Sequence, residues 1–93
     1  MIIAFGDRRT REIFQREVVK GLSAELQRAA LRKLLMIDAA ARIEDLCAPP
    51  GNRLEALRGE LRGLHSIRVN DQWRIVFSWT AGNASDVRIV DYH

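Results

Sequence analysis

The stretch HSIRVNDQWRIVFSW, residues 65–79, alternates apolar and polar side chains on both sides of a short polar turn. Because successive side chains of a strand point to opposite faces, this period predicts two antiparallel strands that share one apolar face. The apolar set comprises Ile67, Val69, Trp73, Ile75, Phe77 and Trp79. Opposite residues must share a face, and a three-residue turn at 70–72 meets that condition by placing Arg68 opposite Arg74.

Two helices are predicted in the amino-terminal half, where apolar residues recur at helical spacing. Asp7 can cap the first helix, which we expect to continue to about Lys20 and to end at Gly21. Ser23 begins the second helix, whose apolar stripe is expected to form core. The stripe comprises Leu26, Ala30, Leu34, Ile37 and Ala41, widened by Leu31, Leu35 and Leu46.

The remaining strands complete the predicted order β-α-α-β-β-β-β. Residues 1–5 resemble a short strand, residues 47–52 form a proline-rich loop, and residues 54–59 begin the sheet. A last strand contains the inward-facing Val87 and Ile89. We therefore expect one domain, residues 1–93, of the α+β class, with two helices packed on one face of a twisted antiparallel sheet.

Composition excludes several classes of protein. A hydrophobic content of 47% argues against disorder, and the one cysteine, Cys47, cannot form an internal disulfide bond. The apolar start is too short for a signal peptide or a membrane span, so we expect a cytoplasmic protein with no membrane contact. The net charge is only +3, but thirteen of the fifteen basic residues are arginine. Arginine suits an anionic partner, although a GC-rich genome produces the same bias.

Arginines of the predicted strands fall on the sheet face that points away from the helices. Arg68 and Arg74 oppose each other there, and Arg88 joins them if the last strand enters the same sheet. Two opposed guanidinium groups repel unless an anion lies between them. We therefore favour an anion-binding face over a merely solvated one.

Three titratable side chains, Asp91, Tyr92 and His93, follow the last predicted strand and are called the terminal cluster below. His93 can transfer a proton near neutral pH, Tyr92 offers a phenol, and Asp91 can orient a neighbour or accept a proton. Strict alternation would turn Asp91 and His93 toward the core, unless the strand end or a bulge releases them. His65 is distant in sequence, so we expect no metal site and no cofactor.

Arginine, tyrosine, histidine and aspartate suit the cleavage of RNA, which carries its own nucleophile, the 2′-hydroxyl. An enzyme that uses this nucleophile must align it in line with the leaving oxygen, hold the phosphate with arginine and move two protons. None of these steps needs a cofactor.

Four segments of the chain resemble the HigB toxins of the RelE/ParE superfamily: MIIAFGDRRTREIF, LCAPPGNRLEALRG, HSIRVNDQWRIVFSW and VRIVDYH. The resemblance covers nearly the whole chain and implies the RelE/ParE fold. It also implies a toxin of a type II toxin–antitoxin system that cleaves mRNA in the decoding site of the 70S ribosome. The implied partner is a HigA-like antitoxin, through which operator DNA would be contacted.

The resemblance also implies roles for individual residues. Arg74 corresponds to the arginine that stabilises the transition state, the terminal cluster to the catalytic carboxyl terminus, and Arg58 to a basic residue that contacts RNA. Arg68 and Arg88 are added as RNA contacts by the face argument alone. Some HigB toxins carry a catalytic histidine where this chain has Glu55, so Glu55 could act as the base or the activity could be weaker. His65 is an alternative substitute, although its predicted direction is inward.

Two other functions remain open from the sequence. ParE-type toxins of the same superfamily bind DNA gyrase and catalyse nothing, and the arginine face would then dock a protein. Alternatively, the chain acts only with its antitoxin as an operator-binding repressor. The final VDYH and the NDQWRI turn favour the ribonuclease.

Overall fold

Two helices and a four-stranded antiparallel sheet make up residues 1–91, the part of the chain that the computed structural model describes. The helices are α1 (Arg8–Phe14) and α2 (Ala24–Ala39). The strands are β1 (Glu55–Ala56), β2 (Leu64–Arg68), β3 (Trp73–Thr80) and β4 (Asn83–Asp91), which lie in that spatial order. Short 3₁₀ turns occupy Ile43–Cys47, Pro50–Asn52 and Gly59–Leu61. The predicted α+β class is confirmed.

Both predicted helix caps are present. The Thr10 N–H donates to Asp7 Oδ1 over 2.8 Å, and the Leu26 N–H donates to Ser23 Oγ over 3.0 Å. Each cap satisfies an amide that has no partner inside its own helix. No helix within the described residues is both long and apolar enough to cross a bilayer.

Both helices end earlier than the sequence predicts. α1 stops at Phe14 because Arg16 adopts a left-handed conformation with φ of 63°, which a right-handed helix cannot contain. Val18 is consequently 91% exposed instead of lying on a helical face. α2 stops at Ala39, where the next residue is extended, so Leu46 reaches the core from the 3₁₀ turn Ile43–Cys47.

One face of the sheet packs against the helices and is called the inner face. Most of its predicted apolar residues are buried, Val69, Trp73 and Trp79 are partly buried, and α2 packs on this face with Ala30, Leu34 and Ile37. The buried inner-face residues of β2, β3 and β4 are Ile67, Ile75, Phe77, Ala84, Val87 and Ile89. Each large apolar side chain buried in this way contributes roughly 1.5–3 kcal/mol to folding. The opposite face is called the outer face.

The predicted register between β2 and β3 is confirmed, since Ile67 pairs with Ile75 and Arg68 pairs with Arg74. Asn70 explains the three-residue turn, because its Oδ1 accepts hydrogen bonds from the N–H groups of Gln72 and Trp73 over 2.9 and 2.8 Å. An asparagine side chain that bonds the backbone just ahead of it imitates a turn.

A bulge in β4 keeps its apolar residues on the inner face. The register between β3 and β4 shifts between Val76 and Ser78, next to Asp86, which has φ of 51°. The close approach of Asp86 also explains Gly6, since a Cβ there would lie 2.4 Å from Asp86 Oδ1.

The first two predicted strands are shorter than expected. The predicted strand at 1–5 forms only two isolated parallel bridges, from Ile2 to Ala84 and from Phe5 to Val87. The strand predicted at 54–59 shrinks to Glu55–Ala56, because the chain turns at Gly59–Leu61.

Candidate active site

The outer face carries the three predicted arginines in two neighbouring rows. One row runs across all four strands through Glu55, Ser66, Val76 and Arg88. The other row contains Arg68, Arg74 and Val90. Pairing across the strands therefore brings Arg68, Arg74 and Arg88 together on one face, as the alternation predicted.

Arg74 lies nearly buried at the centre of this face. Its Nε donates to Ser66 Oγ over 2.9 Å, and its Nη2 donates to the carbonyl oxygens of Arg53 and Ser66 over 2.7 and 3.4 Å. Arg74 is only 8% exposed, so its positive charge is held where water screens it weakly.

The centre of the outer face is closed to solvent. Ser66 and Val76 are buried as well as Arg74. The reason is that the 3₁₀ turn Pro50–Asn52 and strand β1 lie beside β2 and place Arg53 over the sheet. This cover converts a surface arginine into a pre-oriented one.

The two flanking arginines are each paired with a carboxylate that lies close in sequence. Arg68 Nη2 contacts Asp71 Oδ1, and Arg88 Nη1 donates to Asp86 Oδ2 over 2.6 Å. The opposed Arg68 and Arg74 therefore do not require a bound anion, contrary to the expectation from their register. Exposed ion pairs of this kind contribute only about 0–1 kcal/mol, so a phosphate can displace the carboxylates at small cost.

Asn52 anchors the loop that holds Arg74. It is fully buried, its Nδ2 donates to the Leu46 and Ala48 carbonyls over 3.2 Å each, and its Oδ1 accepts from Lys33 Nζ over 2.6 Å. The next residue, Arg53, is left-handed with φ of 46°. Sequence reasoning marked residues 47–52 only as a loop and missed Asn52, Arg53 and Ser66. Asparagine inside a proline–glycine turn was the available signal.

The positive potential of the arginines extends to the edge of α2. Burial lowers the pKa of the Lys33 ammonium, and the charges of Arg32 and Arg68 lower that pKa further. Lys33 also donates to Asn52, so this lysine links α2 to the loop that holds Arg74 and lies within the positive potential of the outer face.

We expect Asn52→Leu to lower the free energy of unfolding by roughly 2–4 kcal/mol, because the buried Leu46 carbonyl, the partly buried Ala48 carbonyl and the Lys33 ammonium lose their partner at once. Urea denaturation followed by circular dichroism measures the change. The same substitution at Asn83, half-buried in the β3–β4 hairpin, is the matched control. Equal destabilisation by the two variants would contradict the anchoring role.

Glu55 and Arg58 lie together at the β1 edge, where they line one shallow pocket with Ala56, Leu57 and Leu61. Glu55 is exposed and shares the Ser66 row, so it borders the arginines of the outer face. Glu55, for which the resemblance implied a histidine in some relatives, therefore lies on the same face as Arg74.

His65 lies apart from these residues. It pairs with Phe77 across β2 and β3, and its ring stacks on the Phe77 ring on the inner face, with centroids 6.1 Å apart. Its Nδ1 is buried, and no hydrogen-bond partner for it lies within residues 1–91. The inward direction expected for His65 is thus observed, and the structure does not bring it to the arginines.

Asp91 ends β4 opposite Trp73. Its carboxylate is exposed and accepts a hydrogen bond from Gln72 Nε2 over 3.0 Å. Asp91 therefore does not enter the core, because the strand ends there, which is one of the two ways expected from the sequence. Tyr92 and His93 lie outside the described residues, and their predicted roles remain predictions. Within residues 1–91, no three His, Cys, Asp or Glu side chains are grouped to hold a metal ion.

The sequence profile described as "RelE-like toxin of type II toxin-antitoxin system HigB" matches residues 4–93. The chain is 48% identical over 63 residues to Toxin HigB-1 of Vibrio cholerae, a match that spans 68% of this chain and 66% of that toxin. It is 32% identical over 97 residues to Endoribonuclease HigB of Proteus vulgaris, and this match spans 100% of both chains. It is also 40% identical over 58 residues to an uncharacterized protein of Haemophilus influenzae, and this match spans 62% of this chain and 57% of that protein.

Solved structures of similar fold include the YoeB–YefM complex from Staphylococcus aureus. The TM-score is 0.64 at 19% identity, covering 100% of this chain and 95% of the matched one. The YoeB dimer from the same organism gives a TM-score of 0.60 at 20% identity, covering 99% and 94%. At this identity the likeness concerns the fold alone; together with the RelE-like family match over residues 4–93, it confirms the predicted architecture.

Proposed function

The chain belongs to the HigB-like family of RelE-like toxins of type II toxin–antitoxin systems, and we propose that it is an endoribonuclease that cleaves mRNA on the ribosome. The observation that carries this proposal is the nearly buried Arg74 guanidinium, held by Ser66 and Arg53 between Arg68 and Arg88. The relative from Proteus vulgaris, which is named an endoribonuclease, supports the same activity.

In the proposed reaction the ribose 2′-oxygen attacks the adjacent phosphorus and the bond from phosphorus to the 5′-oxygen breaks. The products are a 2′,3′-cyclic phosphate and a 5′-hydroxyl. One proton leaves the 2′-hydroxyl and another reaches the departing 5′-oxygen, so one base and one acid suffice. We assign these proton transfers to the terminal cluster, Asp91, Tyr92 and His93.

Arg74 stabilises the extra negative charge that develops on the phosphate oxygens in the transition state. Its hydrogen bonds to Ser66 and Arg53 orient the guanidinium before substrate binds, so little reorganisation is needed during reaction. Its low exposure strengthens the interaction, because nearby water would otherwise screen both charges.

The surrounding residues contact the neighbouring nucleotides. Arg68 and Arg88 bind flanking phosphates after their carboxylate partners, Asp71 and Asp86, are displaced. Arg58 contacts RNA from the β1 edge, where it shares a pocket with Glu55.

The charge of this face supports the proposed dependence on the ribosome. Asp71 and Asp86 pair with two of its arginines, Glu55 borders it, and the net charge of the chain is only +3. The affinity of a protein for nucleic acid rises with the number of phosphates it neutralises. A face so nearly balanced binds free RNA weakly, and the ribosome supplies the missing affinity and alignment.

The partners in this proposal are a HigA-like antitoxin, the 70S ribosome and mRNA in the cytoplasm. Operator DNA is contacted through the antitoxin, because a net charge of +3 provides little affinity for a duplex.

Purified protein tests the proposal directly. We expect cleavage of a defined mRNA, mapped by primer extension, when 70S ribosomes are translating it and none when they are omitted. Equal cleavage of free RNA would contradict the ribosome dependence. Intact mRNA together with stalled DNA gyrase would show the ParE-type function instead.

A further inference from the structure

The edge of β4 that points away from β3 is covered by the amino-terminal segment of the chain. At Ala84 the cover is backbone only: the Ala84 N–H donates to the Met1 carbonyl over 2.9 Å, and the Ile3 N–H donates to the Ala84 carbonyl over 2.8 Å. Ala84 thus has both of its edge groups satisfied.

The next edge position is covered in the same way. The Val87 N–H donates to the Ala4 carbonyl over 3.3 Å, and the Gly6 N–H donates to the Val87 carbonyl over 2.8 Å. Residues 1–6 therefore act as a short parallel strand along the first part of β4.

The third position on this edge is Ile89, two residues before Asp91, and side chains instead of backbone groups cover it. Here the amino-terminal chain has already entered α1, whose backbone groups are directed along the helix axis. The Ile89 N–H donates instead to Thr10 Oγ1 over 2.9 Å, and Arg9 Nη2 donates to the Ile89 carbonyl over 3.2 Å. Two consecutive side chains of α1 replace the missing backbone partners.

Arg9 also contacts the neighbouring strand. Its guanidinium lies 5.3 Å from the Trp73 ring centre, and Trp73 pairs with Asp91 across β3 and β4. Arg9 therefore bridges both strands within two residues of Asp91. Thr10 is fully buried, so its hydroxyl has no competing water.

From this arrangement we propose that Thr10 and Arg9 are positioning residues, which fix the carboxyl end of β4 and thereby hold Asp91 in place relative to Arg74. The proposal rests on the proposed ribonuclease function, because it assigns the positioning of Asp91, one of the proposed proton-transfer groups, to α1. Thr10 and Arg9 act through Ile89 and touch no substrate in this account.

Thr10→Val tests the proposal with little change of shape, since only the hydroxyl is removed. We expect the Ile89 amide to exchange with solvent at least about 10-fold faster, because it loses its acceptor. The Val87 amide, which is held by the Ala4 carbonyl, is the internal reference and should change by less than about 2-fold. Hydrogen exchange followed by NMR measures both amides.

The kinetic readout separates positioning from binding. We expect Thr10→Val to lower kcat for ribosome-bound mRNA by about 10-fold with KM unchanged. A misplaced Asp91 would slow proton transfer without weakening the contacts to RNA. Thr10→Ser keeps the hydroxyl and should restore both kcat and Ile89 protection. Thr80→Val, the same change at an exposed threonine at the end of β3, should alter neither.

Arg9→Met provides a second test that leaves the buried hydroxyl in place. We expect kcat to fall by about 3–10-fold as the contacts to Ile89 and Trp73 are lost. Arg8→Met is the matched control, since the Arg8 side chain is 81% exposed and forms its ion pair with Glu12 of the same helix.

Two results would overturn the proposal. Unchanged Ile89 exchange in Thr10→Val would show that Thr10 does not hold β4. Faster Ile89 exchange with unchanged kcat would show that the contact is structural only. If wild-type protein cleaves no mRNA, the proposed function falls, and the exchange comparison alone decides whether α1 fixes the end of β4.

Discussion

Arg74→Lys is expected to lower the rate of mRNA cleavage roughly 10³-fold while the protein stays folded. Lysine keeps the positive charge but has one nitrogen, whereas Arg74 already needs two nitrogens to donate to Ser66 and Arg53. A lysine ammonium that satisfies those acceptors has no second nitrogen to direct at a phosphate. The loss therefore falls on stabilisation of the transition state, and kcat should fall far more than KM rises.

Single-turnover cleavage of ribosome-bound mRNA measures this effect. Arg42→Lys is the matched control, because Arg42 lies in an exposed segment and contacts Glu44 instead of the outer face. Circular dichroism and urea denaturation of both variants separate misfolding from lost chemistry. A rate within about 10-fold of wild type for Arg74→Lys would remove Arg74 from its proposed role.

His93→Gln is expected to lower kcat by about 10²–10⁴-fold and to remove one limb of the pH–rate profile. Glutamine keeps a polar side chain of similar reach but cannot gain or lose a proton near neutral pH. The remaining activity should therefore depend less on pH than that of the wild type. Cleavage rates at a series of pH values, again in single turnover, measure both features.

His65→Gln is the matched comparison, because the chain has only two histidines. His65 stacks on Phe77 on the inner face, so we expect its replacement to change stability more than cleavage. If His65→Gln abolished cleavage in folded protein while His93→Gln did not, His65 would replace the missing family histidine and the assignment of His93 would be wrong.

Most of the sheet could be predicted because its signals are local. The period of two placed Ile67, Ile75 and Phe77 on the inner face, and the three-residue turn paired Arg68 with Arg74. The helix starts were equally readable, since Asp7 and Ser23 each satisfy an amide three residues ahead. Such signals need only neighbours in sequence, and packing did not override them.

Helix ends and strand lengths were less predictable. Arg16 breaks α1 with a left-handed conformation that an arginine seldom adopts, and no glycine or proline marks the position. Val18 and Val19 follow at helical spacing from Phe14, so periodicity alone extends the helix past its true end. The length of β1 was overestimated for a similar reason, since the 3₁₀ turn Gly59–Leu61 follows an apolar segment.

Alternation along a few residues was sufficient to predict the strand faces, the hairpin register and the outward direction of the three arginines. Packing over the sheet, in contrast, buries Arg74 beneath Arg53, anchors that loop through Asn52 and brings Thr10 to Ile89. The last pair is separated by 79 residues, and the Arg74 and Arg53 contact spans 21. Contacts of this kind depend on how helices and loops pack over the sheet, and no local pattern of side chains encodes that packing.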